Sequence, residues 1–236
     1  MKTKNKIIRF YTKITPERYE GVFSGITFRD FIKCTPIAIE NILLLEMTYI
    51  TGKHHNKFEL FEGKHEIDKI ALENIYNYGD FCFVDYKSPS LLKHLTENHI
   101  AELLYLKHMF KPLESPFFDV LQNNFAYLSH DDGWYCKIYC KESEILSMLL
   151  VNKIRNMAQG NFQADESTIP SNFIKHICEL STKGLILEVE YLSPRLDSAE
   201  IRVYEVGEYK NMDALFNSID LSRLPVSLVE QVVIDL

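Results

Sequence analysis

Glycine is scarce in this chain, 9 of 236 residues, and none sits in a Gly-x-Gly-x-x-Gly pattern. Gly21-x-x-x-Gly25 lacks the Lys-Ser or Lys-Thr that completes a phosphate-cradling loop. Neither kind of nucleotide site has a candidate. Gly-x-Ser-x-Gly is missing too, and with it the strained elbow that exposes a serine nucleophile. Long apolar runs are also absent. The longest stretch without a formal charge runs from Val120 to His130 and holds Gln122, Asn123, Asn124 and Ser129. A membrane-spanning helix needs about 20 consecutive apolar residues. Lys2, Lys4 and Lys6 imitate the start of a secretion signal, but no apolar stretch or small-residue cleavage site follows. The expectation is a soluble cytoplasmic protein with no membrane partner.

Basic clusters are lacking. The chain has 26 Lys and Arg against 33 Asp and Glu, a net charge of −7, and its cations are scattered. Nucleic-acid binding needs a clustered cationic face to displace counterions, so none is expected. The 5 cysteines, Cys34, Cys82, Cys136, Cys140 and Cys178, are odd in number and include no Cys-x-x-Cys. They read as free thiols in a reducing compartment. Cys136 and Cys140 on one strand share a face but lie roughly 13 Å apart, too far to grip one ion. No metal or cofactor is expected. Lysine far outnumbers arginine, and Ile and Asn are plentiful, which suggests an AT-rich bacterial genome.

What is present is core material. Apolar residues make up 46% of the chain, with 15 Phe, 13 Tyr and a single Trp. Residues 6–14 read as a first strand, closed by Pro16. Gly21 and Gly25 punctuate a loop, and Thr27 caps a short helix through Lys33. Residues 41–51 and 57–61 read as strands around the polar turn 52–56, where His54-His55 matches no zinc spacing. Residues 66–78 are an amphipathic helix presenting Ile67, Ile70, Ala71, Ile75 and Tyr78, with Gly79 in the capping place. A strand covers 80–86. Helices follow at 97–110, capped by Thr96, and from Ser115-Pro116. Residues 143–158 form another helix, whose apolar stripe is interrupted by Lys153. The polar stretch 159–170 is the one composition break, a possible sub-boundary in an otherwise single compact domain of residues 1–236. A helix from Ser171, paired strands 185–192 and 199–206, and a short helix 211–219 complete the pass. The tail 224–236 fits helix and strand equally. Strands separated by short turns, without regular strand–helix alternation, give the fold class as α+β: a mostly antiparallel sheet with β-hairpins and several packed helices.

The sharpest local signal is residues 125–140, two β-rich runs around Asp131-Asp132-Gly133. Asp-Gly supplies the backbone angles of a tight hairpin turn. His130, Asp131 and Asp132 crowd that turn and are the first candidates for a general base or metal ligand, although three consecutive residues cannot converge on one atom unaided. His99 and Glu102, three apart on a helix, are the second: a carboxylate and histidine in an apolar setting, either an acid–base pair or a satisfied polar pair in the core. By strand alternation Trp134 points with Cys136 and Ile138 toward the core, and Tyr135 with Lys137 and Tyr139 toward a wet surface. Tyr135 and Tyr139 are therefore the candidate contact residues for another protein or a second copy. The reading is a non-catalytic protein-binding or self-associating module. The alternative is a hydrolase whose site is assembled from dispersed residues around His130.

Overall fold

A computed structural model of the chain describes residues 6–50, 53–72, 80–130, 135–162, 169–180, 184–191, 198–206 and 226–235. Among these described residues, the alternation and continuous apolar runs of the sequence resolve into ten strands and five α-helices. The strands are β1 (Lys6–Thr15), β2 (Arg18–Ser24), β3 (Asn41–Ile50), β4 (Lys53–Glu62), β5 (Phe81–Asp85), β6 (Phe125–His130), β7 (Tyr135–Cys140), β8 (Leu185–Tyr191), β9 (Ser198–Glu205) and β10 (Ser227–Asp235). They form one sheet in the order β10-β9-β8-β1-β2-β7-β6-β5-β3-β4. Every neighbouring pair is antiparallel. The fold is α+β.

The helices are α1 (Phe28–Cys34), α2 (Gly63–Ile70), α3 (Glu97–Lys107), α4 (Ser143–Phe162) and α5 (Ser171–Leu180). Buried residues of α1, α2, α4 and α5 pack on one face of the sheet with Phe10, Phe23, Phe83, Phe125 and Tyr127. Aromatic contacts tie α1 down: Phe28 stacks on Phe83 with centroids 3.8 Å apart, and Phe31 meets Phe125 edge-on at 4.8 Å. Thr27 and Asp30 close a capping box at the start of α1. Asp30 also holds Lys153 of α4 at 2.8 Å, so the lysine in the apolar stripe is an inter-helix tie.

On the opposite face α3 seats Leu103 and Leu106 against Leu43, Leu45, Cys82, Val84, Ala126, Leu128 and Tyr139. The middle strands are thus covered on both sides, which is why β5 is buried along its whole length. Over β8 and β9 that second face instead carries a charged network in which Arg202 contacts Glu188, Glu190 and Glu200. No helix among the described residues is long and apolar enough to cross a membrane.

Several elements differ from the sequence reading. Residues 18–24 are strand β2, and Gly21 lies in its middle, where a Cβ would stand 3.1 Å from Leu146 of α4. The glycine marks a close helix–sheet approach rather than a loop. No helix follows Ser115. The Asn123 side chain donates to the Pro116 carbonyl and accepts from the Phe118 N–H, taking groups a helix would have used internally. Helix α3 stops at Lys107, and Met109 adopts the left-handed position that ends it, φ 62°. The tail is strand β10. Asp131, Asp132, Gly133 and Trp134 lie outside the described residues. So do Ile75, Tyr78, Gly79, the 211–219 helix and residues 163–168 of the polar stretch, whose first four residues, 159–162, belong to helix α4 rather than to a loop.

Candidate functional site

Strands β6 and β7 pair in register, with His130 opposite Tyr135, as the hairpin reading requires. His130 closes β6 half-exposed. Its Nδ1 lies 3.0 Å from Oδ1 of Asp80, just before β5. Its ring packs on Tyr135 at 4.9 Å. A carboxylate beside an imidazole is half of a base-and-orienter arrangement, although at His130 the Nδ1 contact lacks hydrogen-bond geometry. Ser129 alternates to the other face and is wholly buried beside Cys136. Burial also pushes the thiols of Cys82, Cys136, Cys140 and Cys178 above their ordinary value, that of Cys136 to about 11. These thiols are not activated nucleophiles.

His99 does not pair with Glu102. Its Nδ1 accepts from the Thr96 backbone N–H at 3.2 Å, making it the third-position partner of a capping box at the start of α3. Glu102 is half-buried one turn further on. The pair is not brought together as a site. The two tyrosines of β7 separate as well. Tyr135 is half-buried at the strand end, whereas Tyr139 is 0% exposed. Its hydroxyl takes a hydrogen bond from Lys137 at 3.1 Å, Lys137 in turn pairs with Glu20, and Arg18 lies over its ring. The expectation that Tyr139 meets a partner is corrected: it assumed a sheet wet on one face, and this part of the sheet is covered on both.

A cleft of about 290 Å³ opens at the other end of β5 from His130, between Glu40, Asn41, Asp85, Tyr86, Gln122 and Asn124. Gln122 there has φ 54°, an uncommon backbone conformation for a non-glycine residue. Asp85 and Tyr86, both lining the cleft, are shifted upward by burial. Burial pushes the carboxyl up to about 6, against hydrogen bonds from Phe125 N–H, Asn124 N–H and Asn124 Nδ2 that pull it down. Those donors occupy both oxygens, so Asp85 fastens β5 to the start of β6 rather than facing a ligand. Among the described residues no three His, Cys, Asp or Glu side chains are placed to hold a metal ion.

The remaining feature is an edge that sequence reasoning missed. β4 ends the sheet, and among the described strands its only neighbour is β3. It pairs with β3 without interruption from Asn41↔Glu62 to Ile50↔Lys53. Phe58 is 40% exposed and Leu60 48%, and alternation puts both on the α3 face. The end of α3 is pinned beside them: Lys107, wholly buried, donates to Asn56 on β4 and lies 3.5 Å from the Glu46 carbonyl. Burial lowers the Lys107 ammonium from its ordinary value. On the opposite face of β4, Lys57 bridges Glu59 at 2.6 Å and the buried Glu46 at 3.2 Å. The other sheet edge, β10, differs because a register shift between Leu228 and Glu230 breaks its pairing with β9. Such a bulge blunts an edge, and β4 has none. Comparison with protein-family models, curated proteins and solved structures finds no match to this chain.

Proposed function

We propose that the chain is a non-catalytic binding module that takes an extended segment of another protein chain along β4. One observation carries this reading: a ten-residue, unbulged edge strand with an apolar strip of Phe58 and Leu60 on one face. An exposed edge offers unpaired backbone N–H and C=O groups, and alternate side chains add specificity. The raised cysteine thiols and the fully engaged Asp85 carboxylate support a non-enzymatic role. Peptides selected from a random display library should bind as strands with apolar residues at alternate positions. They should lose binding to a Phe58→Arg, Leu60→Arg variant whose thermal melt is unchanged. Absence of binders, or binders indifferent to both arginines, overturns the reading.

The His130–Asp80 pair favours a second reading, a hydrolase at the β6–β7 end of the sheet. It requires that a panel of ester and phosphoester substrates reveal turnover that His130→Ala abolishes without altering the melt.

A further inference from the structure

We infer that the segment β4 receives is β4 of a second copy, paired antiparallel about a two-fold axis through Phe58. The inference rests on the edge-binding reading above and names its occupant. Lys57, Phe58 and Glu59 are consecutive on β4. In antiparallel self-pairing centred on Phe58, Lys57 faces Glu59 of the second copy, and Glu59 faces Lys57 of the second copy. Two opposite-charge pairs form at once, and both lie on the face away from α3. These side chains already bridge each other in the single chain, yet at 49% and 40% exposed both remain within reach of the second copy, so the pairs across the axis extend an existing contact. On the α3 face Phe58 meets its own counterpart, with Leu60 flanking it on each side. A shift of the axis by one residue, to Glu59, sets Glu59 against Glu59 and Lys57 against Phe61, which removes the complementarity. Centring on Asn56 would also set Lys53 against Glu59 twice, but it places Phe58 against His54, so only the Phe58-centred register joins both charge pairs to an apolar contact of Phe58 with its own counterpart.

Symmetry favours the same conclusion. A two-fold contact uses one patch twice, so a patch complementary to itself is what a two-fold dimer needs. The β10 edge fails this test. Its charged residues, Glu230 and Asp235, are of one sign, so no self-pairing of that strand matches opposite charges.

Cysteine placement reads the register directly. Facing residues in an antiparallel pair have Cβ atoms about 4.5–5.5 Å apart, close to the span of a disulfide. Phe58→Cys should thus link two chains under oxidised glutathione. In the same register the two Leu60 positions stand four residues apart along the strands, roughly 13 Å. Leu60→Cys should stay unlinked, as should the native chain, in which four of the five cysteines are buried. Sedimentation of the native chain should show a concentration-dependent dimer. Glu59→Lys, at a half-exposed position, should weaken it about tenfold by setting lysine against lysine twice, with the thermal melt retained. Monomer at all concentrations, Leu60→Cys linking as readily as Phe58→Cys, or a Glu59→Lys dimer as tight as the native one would each overturn the inference. A monomer that still binds display-selected peptides at β4 would sink the second copy and leave the edge-binding reading standing.

Discussion

Asp85 and Asp30 are both partly shielded carboxylates tied to backbone N–H groups, yet they titrate in opposite directions. At Asp85 burial dominates, and the carboxyl keeps its proton up to about 6. In the unfolded chain an aspartate releases it near about 3.9. Between those values the fold binds a proton the unfolded chain has lost, so stability falls as pH rises from 4 to 6 and is flat above. The full swing is about 3 kcal/mol. Asp85→Asn should abolish that slope while keeping an oxygen for the Asn124 and Phe125 amides, which denaturant unfolding at a series of pH values will show. Asp85→Ala orphans both amides and should cost about 2–4 kcal/mol at pH 7. Burial also acts to raise Asp30, but Lys153 and the Thr27 donors outweigh it and hold the carboxyl below its ordinary value. That contribution is present above the unfolded value and is lost as pH falls through the lowered one. The two windows meet near pH 4 and scarcely overlap. No sequence pattern marks the Asp85 effect, whose donors lie about 40 residues away, whereas the Asp30 effect is part local, through the Thr27 capping box, and part distant, through Lys153.

At the scale of elements, Gly21 is a place where α4 comes close to the sheet. Gly21→Val should push Leu146 aside and destabilise the protein by about 1–3 kcal/mol, measured by chemical denaturation. The contact also explains why β2 was not legible. A central glycine reads as a turn when nothing in the local sequence announces the helix above it. Strands with plain alternation or β-rich runs, such as β3 and the β6–β7 pair, were legible, as were helices with a cap and a stripe, α3 and α5. The segment after Ser115 misled for another reason: its serine, proline and apolar residues satisfy the helix-start pattern, and only Asn123, folding back on it, ends the helix. Tyr139 failed because alternation tells which residues share a face and not whether that face is covered. For α2, Ile70→Ala should cost about 2–5 kcal/mol in denaturant unfolding, since Ile70 is buried beside Ile67 in the main core.

Across the whole molecule, protection should follow position in the sheet. Amides of β5 and β6 should exchange slowly with solvent at any concentration. The outer amides of β4 should exchange fast in dilute samples and slow down as concentration rises, which mass-resolved hydrogen exchange can follow peptide by peptide. The Lys57-Phe58-Glu59 triplet was open to view in the sequence, but its place at an edge was not, because strand order is fixed by pairings between distant segments. One such pairing shapes how the chain comes to be built. The hairpin β1–β2 is inserted between the block β10-β9-β8 and the block β7-β6-β5-β3-β4, and Phe10 reaches its partner Leu185 only on β8. During synthesis β1 therefore waits, one flank open, while the rest of the chain up to β8 emerges. At ordinary elongation speeds the wait is on the order of ten to thirty seconds. β1 is thus enclosed on its second flank only once β8 has been made, and until then the nascent chain carries a sticky flank.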